Sequence, residues 1–431
     1  MKKRISIILI LAGLIFLVMI FWSYWQDPMN HLKQVVTLEL GEPFDPACLI
    51  KSHTSSAMRE HLLATMTIDP YPPDVPGTYT SNLHYAAHSQ TIQIQVKDTT
   101  APQFIDPPSQ WQMVAGTTPD FSQLIIEDRS PYTVTIGQTD FSTPGTYQTE
   151  LIATDNSQNQ NRHPITLIIE APQITLTSPS DILACTRSMQ LELDGNLCWD
   201  QLQLSSSDER IASIDAKGCV TAHQAGKVTF SACLDQQVLT SCTIEIIDPP
   251  ASKNEFVNIK AFIPDLYVDL KYASTDNFTQ TVIYDFHDAY LRYGTVQKLM
   301  GVQEDLKAKG YHLLIWDAYR PFEAQKRLWE VVPDDRYVAN PAYGPQSHNL
   351  GSTIDASLVT PEGKSVPMPT AFDDFSSLAD RDYRDIQDPQ AIENALLLEQ
   401  TMTKHGFRGY SLELWDYSDS HSYTYLEFQV P

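Results

Sequence analysis

The segment Ser347-His348-Asn349-Leu350-Gly351-Ser352-Thr353-Ile354-Asp355 brings an imidazole and a carboxylate close together, among hydroxyls and a glycine. Upstream, Trp316-Asp317-Ala318-Tyr319-Arg320-Pro321 adds a carboxylate and a guanidinium. Downstream, Glu413-Leu414-Trp415-Asp416 adds two more carboxylates. Imidazole, ligating carboxylates, a candidate general base and an arginine together suit a zinc hydrolase. Zinc takes His nitrogen and carboxylate oxygen, and a catalytic site uses three protein ligands and keeps one position for water. Taken alone, a histidine near an aspartate is more often an ordinary hydrogen-bonded pair, and Glu413 a surface carboxylate. The surrounding residues must therefore decide.

From about Asn254 to Pro431 the chain resembles the VanX-type D-alanyl-D-alanine dipeptidases. Asp265-Leu266-Tyr267-Val268-Asp269-Leu270-Lys271-Tyr272 is similar to that family's opening strand, and Asp317-Ala318-Tyr319-Arg320-Pro321 to its arginine motif. Ser347, His348, Gly351 and Asp355 match its S-H-x-x-G-x-x-x-D motif, and Glu413-Leu414-Trp415 the start of its E-x-W-H motif. Four motifs in the right order are far more specific than any one of them. The resemblance implies one zinc ion with His348 and Asp355 as ligands, and Glu413 as the base that moves the proton of the attacking water. It implies Arg320 as the cation that polarises the scissile carbonyl, and Ser347 and Tyr319 as residues that touch substrate or orient ligands. The substrate implied is D-Ala-D-Ala, as free dipeptide or as the terminus of a wall peptide. One position departs from the pattern. Asp416 stands where the family has its third ligand, a histidine; a carboxylate is a legitimate zinc ligand but makes the ion less electrophilic. His421 is the alternative ligand. Loss of the metal would leave a surface binding or adhesion protein, the rival reading of function.

The elements that must position these residues occupy the last part of a long chain. At 431 residues more than one domain is expected. The formal charge of −24 excludes nucleic acid or an anionic membrane surface as the main partner, because both need clustered Lys and Arg. Met1-Lys2-Lys3-Arg4 precedes an apolar run from Ile5 to Trp22, with Tyr24 and Trp25 as an aromatic belt. This pattern predicts a single transmembrane helix within residues 1–25, its basic end in the cytoplasm and the rest outside. A cleaved signal peptide is the rival, but Ser23-Tyr24-Trp25-Gln26 offers no small-residue cleavage site. Six cysteines are present. Five fall between Cys185 and Cys242 and allow disulfides outside the cell, buried thiols being the equal alternative.

Between anchor and enzyme the sequence reads as small all-β, Ig-like sandwiches over residues 33–100, 101–171 and 172–248. Thr91-Ile92-Gln93-Ile94-Gln95-Val96 alternates with the strand period. Val75-Pro76-Gly77-Thr78-Tyr79 recurs as Thr143-Pro144-Gly145-Thr146-Tyr147, an internal repeat of sandwich size. The third module resembles the second group of bacterial Ig-like domains through Ser205 to Asp215, Gly218 to Ala222 and Ala225 to Phe230. Asp155-Asn156 and Asp208-Glu209 read as turn residues in preference to calcium ligands. These modules suit a stalk, with adhesion as the alternative. Asp248-Pro249-Pro250-Ala251-Ser252 is the expected linker, so that a chain begun near Ser252 should fold alone.

The last domain, 253–431, mixes periods. Ala289 to Gly310 has helical spacing, Tyr311 to Trp316 is a short buried strand, Phe322 to Val331 a helix begun at Pro321, and Ala391 to His405 a helix ended by Gly406. Helices and strands alternate without βαβ regularity, so an α+β zinc peptidase domain is expected.

Overall fold

The computed structural model describes residues 2–138 and 140–431, with only the backbone for 2–10, 21, 24 and 25. It divides into two compact units, Met1–Ala171 and Pro172–Pro431.

The first unit opens with a helix over Lys2–Gln26. Its described side chains from Leu11 to Ile20 are exposed. Among the described residues no helix is long and apolar enough to cross a membrane, so the expected membrane-spanning helix is not met there. Part of the expected span, Ile5 to Ile10 and Phe21, lies outside the described side chains. The basic residues Lys2, Lys3 and Arg4 and the belt residues Tyr24 and Trp25 lie outside the described side chains.

The segment after this helix is not a pure β-sandwich. Four strands, Val35–Glu39, His88–Lys97, Gly77–Tyr85 and Met66–Ile68, form one sheet in that order. Its apolar face is covered by a helix, Ser56–Thr65. Leu62 of that helix joins Ile92 and Ile94 in one core. The Ser55 hydroxyl caps the helix by accepting from the Met58 amide, a cap of the usual kind. A second sheet runs Gln110–Val114, Gln160–Glu170, Gly145–Asp155 and Tyr132–Ile136, with Gln103–Ile105 paired to Ile125–Glu127 beside it.

The repeated Pro-Gly-Thr-Tyr turn has a structural cause. The Tyr79 hydroxyl reaches back to the Val75 carbonyl at 2.8 Å, and that of Tyr147 to the Thr143 carbonyl at 3.0 Å. Any Cβ on Gly77 or Gly145 would press on that hydroxyl at 3.1 Å. Asp155 plays the turn role, its Oδ1 accepting from the Asn159 amide, as does Asp208 toward the Arg210 amide.

The second unit begins with a two-sheet sandwich. Ile182–Ala184, Gln237–Ile247, Gly226–Leu234 and Gln203–Ser206 form one sheet; Ser188–Gln190, Cys219–Ala222 and Ala212–Ile214 form the other. Phe230, Ile244, Val220 and Met189 fill its core. All six cysteines are free thiols. The boundary with the next domain is packed. Ala184 is buried in the core of that domain, Ile182 and Ile247 lie against it, and Arg187 Nε donates to the Phe262 carbonyl at 2.9 Å.

That last domain is α+β. A five-stranded sheet runs Tyr267–Val268, His312–Asp317, Thr353–Val359, Asp416–Asp419, Phe407–Gly409. The first pair is parallel and the rest antiparallel. Every residue of Thr353–Val359 is buried, as befits a central strand. Helices Tyr293–Lys307 and Pro389–Lys404 supply Val296, Leu299, Val302, Leu398 and Met402 to the core beside Leu313, Ile315 and Ile354. The predicted first helix starts later than its apolar spacing implies. Tyr290–Arg292 is instead a strand that pairs with Phe256–Asn258. Helix Phe322–Val331 follows Pro321 as expected.

Candidate metal centre

Antiparallel pairing sets Asp317 opposite Asp355, and Asp355 opposite Asp416. Directly paired residues share a sheet face, so three aspartates stand in a row across three strands. Like charges directly opposite one another are destabilising, and near-complete burial adds to that. Such a row persists only if cations or donors answer it.

Asp317 is answered within the protein. Its Oδ2 accepts from Arg320 Nε at 3.1 Å and from an Arg320 terminal nitrogen at 2.7 Å; its Oδ1 accepts from the Tyr284 hydroxyl at 2.7 Å and the Ala318 amide at 2.9 Å. Asp355 is not answered. Its Oδ1 is buried and accepts no hydrogen bond from any described residue.

His348 sits in the 3-10 turn Ser347–Leu350 that leads into the central strand. The turn is closed by Gly351 at φ 70°, where a Cβ would come within 2.2 Å of the Phe256 ring. Only glycine accepts both the conformation and the approach. His348 Nδ1 lies 2.9 Å from the Ala318 carbonyl, which fixes the proton on Nδ1 and leaves the Nε2 lone pair free. Nε2 is 3.5 Å from Asp355 Oδ1 and 3.6 Å from Asp416 Oδ2. These separations are long for hydrogen bonds. They match the roughly 3.4 Å between two ligands that each stand about 2.05 Å from a tetrahedral zinc. Asp317, His348 and Asp355 also approach within 4.8 Å, but Asp317 lies on the Nδ1 side at 3.5 Å and its oxygens are taken. Asp355 and Asp416 are the carboxylates that face the open Nε2 side of His348 on the cleft.

The electrostatics agree. Burial works against a charged His348, but the charges of Asp355 and Asp317 and the contact with the Asp355 carboxylate together hold the imidazole well above its ordinary value, so that without metal Nε2 carries a proton that a cation would replace. Burial pushes Glu413 up to about 9, and the charges of Asp355, Asp416 and Asp373 push the same way. Burial and the charge of Asp355 lift Asp373 to about 8, against a hydrogen bond from Tyr272. A site this crowded with carboxylates favours a bound divalent cation.

Arg320, His348, Asp355, Asp373, Glu413 and Asp416 all line one cleft of about 400 Å³, with Ser347 at its wall. Three of the five N–H donors of Arg320 are committed, two to Asp317 and one to Gln325 at 2.9 Å, which holds the guanidinium rigid at the cleft wall. A larger cavity of about 790 Å³ lies beyond Phe372 and Asp373 and contains none of the ligand atoms.

Two sequence expectations need correction. Tyr319 is not in the cleft: its hydroxyl donates to the Phe428 carbonyl at 2.9 Å, and its ring packs on Phe256 and Phe428. Arg320 takes the cleft, and its neighbour packs elsewhere. His421, the alternative third ligand, is exposed beside Tyr423 and lines no part of the cleft. Sequence reasoning also missed three residues. Asp317 was part of a motif without a role of its own, and alternation along His312–Asp317 is the signal that places it inward. Asp373 and Tyr272 carried no such signal.

A family model described as D-ala-D-ala dipeptidase matches residues 252–431. The chain is 35% identical over 163 residues to a D-alanyl-D-alanine dipeptidase of Escherichia coli (strain K12), covering 38% of this chain and 83% of that one. It is 29% identical over 185 residues to one of Enterococcus faecium, covering 38% and 91%. It is 28% identical over 202 residues to one of Enterococcus faecalis (strain ATCC 700802 / V583), covering 41% and 99%.

Proposed function

We propose, on the premise that the chain belongs to the D-alanyl-D-alanine dipeptidase family through residues 252–431, that this domain cleaves D-Ala-D-Ala as the free dipeptide. The protein is a zinc dipeptidase, a hydrolase of the peptide bond. The observation that carries the site assignment is the convergence of His348 Nε2 with an unpartnered Asp355 oxygen and with Asp416, at 3.5 and 3.6 Å.

Zinc bound by His348, Asp355 and Asp416 would supply Lewis acidity to water and carbonyl. The rest is the work of the chain. Glu413, on the same cleft, takes a proton from the attacking water and returns it to the leaving amine. Arg320, held by Asp317 and Gln325, presents fixed positive charge to the carbonyl oxygen as it becomes an oxyanion. Asp373, anchored by Tyr272 at 3.1 Å, adds a carboxyl suited to a substrate ammonium. An ammonium exists at that end of a free dipeptide, whereas a wall peptide has an uncharged amide there. This contrast favours the free dipeptide.

The test is release of D-alanine by the zinc-loaded chain from D-Ala-D-Ala, from its N-acetyl derivative and from a wall pentapeptide. Hydrolysis of the first alone supports the reading. Hydrolysis of all three at equal rates overturns the free-dipeptide preference. No hydrolysis with one zinc bound overturns the enzyme reading in favour of a binding protein. We also propose that the enzyme domain lies outside the cytoplasm, a reading supported by the basic start, the apolar segment after it and the tandem β modules. Protease added to intact cells should remove the enzyme domain; protection until the cells are broken refutes it.

A further inference from the structure

The segment that carries both Glu413 and Asp416 has little structure of its own. Between the strands Phe407–Gly409 and Asp416–Asp419 it runs as an irregular loop. Its last part nevertheless has to hold a base and a ligand in fixed relation, because a misplacement of about 1 Å is enough to lower a rate about 100-fold. Backbone hydrogen bonds from Tyr410 to Asp416 and from Glu413 to Tyr410 close the turn, and the ladder to Asp355 holds Asp416; what these leave loose, something outside the loop must hold.

One side chain does. Arg381, 10% exposed, enters from a distant loop and places its guanidinium against the backbone of this one. Its Nε donates to the Tyr410 carbonyl at 2.8 Å. One terminal nitrogen donates to the Glu413 carbonyl at 3.1 Å and the Asp416 carbonyl at 2.8 Å. The other donates to the Tyr417 hydroxyl at 3.1 Å, and the guanidinium carbon lies 4.4 Å over the Tyr417 ring. The Arg381 amide closes the contact by donating to the Ser411 carbonyl at 3.2 Å. Glu399, itself bonded by the Tyr383 hydroxyl at 2.8 Å, stands 3.5 Å from the guanidinium and steadies its charge. Room for the group is kept by Gly409, where a Cβ would fall 2.3 Å from the guanidinium carbon.

We propose that Arg381 is a positioning residue: its guanidinium ties the start, middle and end of the loop so that the Glu413 carboxylate and the Asp416 ligand oxygen face one ion. The inference rests on the zinc-site reading above. It is specific to arginine. A planar fork reaches several carbonyls in fixed directions, whereas an ammonium is a point charge on a flexible stem.

The test uses the full chain with Arg381→Ala and Arg381→Lys. Zinc affinity is measured by chelator competition, kcat and KM on D-Ala-D-Ala, and folding by circular dichroism and the thermal midpoint. Expected for Arg381→Ala is a zinc affinity about 10–100-fold weaker, the range for groups that orient ligands. A kcat lower by about 100-fold with KM changed only a few-fold should accompany it, at saturating zinc. Added guanidinium ion should restore part of kcat to Arg381→Ala and none to wild type. Arg381→Lys should stay close to the alanine variant. If the alanine variant does not fold, Arg381→Lys carries the same measurements. Zinc affinity and kcat within two-fold of wild type overturn the proposal. So does a loss of kcat that follows the unfolded fraction, with zinc affinity intact in the folded part. If the wild type itself hydrolyses nothing, the function reading fails, and the change in zinc affinity still judges Arg381.

Discussion

Asp317 and Asp416 flank the same central aspartate on paired strands, yet they should fail in opposite ways when each is changed to asparagine. Asp317 has a fully buried side chain and accepts four hydrogen bonds, two of them from Arg320. Asp317→Asn keeps the shape but removes the charge, and turns an acceptor into a donor facing Arg320. Breaking one side of a buried pair leaves the other charge uncompensated, at about 3–5 kcal/mol. For a unit of this size about 1 kcal/mol moves a melting midpoint by about 2–4 °C, so its transition should fall by roughly 6–20 °C. Zinc affinity in the folded fraction should change little. Asp416→Asn should do the reverse. It relieves the charge that already pushes Asp355 up, so the metal-free midpoint should hold or rise. It removes a ligand, so affinity should drop by more than the roughly 10–100-fold seen when only an orienting group is lost. Thermal unfolding of the metal-free chain and chelator competition for zinc read the two effects separately. If Asp317→Asn abolishes zinc binding without moving the midpoint, Asp317 is the ligand and the choice of donor set made here is wrong.

Glu413→Gln should lower kcat by about 100- to 10,000-fold, the worth of a general base, while one zinc stays bound; metal analysis beside kinetics checks both, and loss of the metal refutes the base assignment. Asp373 supplies a pH test. Its folded value of about 8 lies above its ordinary value of 3.8, so its contribution to stability is present below about pH 4 and fades as pH rises through about 8. The midpoint of metal-free Asp373→Asn minus that of wild type should therefore grow between about pH 4 and 8 and then level off, whereas parallel curves would show that Asp373 does not titrate in this range. Gly351→Ala should destabilise by more than about 1 kcal/mol, because it meets both a positive φ and the Phe256 ring; a midpoint equal to wild type contradicts the stated need for glycine.

The candidate ligands could be picked out as a set because motif spacing survives in one dimension. His348 and Asp355 lie on a turn and the strand that follows it, and Asp416 opens a strand next to that one. The pairing of Asp317 with Asp355 was hidden because the two are distant in sequence. Asp373 was hidden because it sits in a loop at φ 57°, where no periodicity operates. Tyr319 was misplaced because a motif names neighbours without saying which side chain turns toward the cleft. In the first module, strand alternation in Thr91–Val96 was read rightly. The helix Ser56–Thr65 escaped because its inward stripe is little more than Met58 and Leu62, too short a pattern to announce a helix.

The sandwich that precedes the enzyme domain lends it Ala184, Ile182 and Ile247 as packing partners and a hydrogen bond from Arg187 to the Phe262 carbonyl. That changes what can be inherited separately. A gene rearrangement cut at Pro249-Pro250 would deliver an enzyme with a bare apolar patch around Phe262 and an unpaired carbonyl. In this chain 172–431 packs as one compact unit, and the proline-rich segment inside it is an internal seam.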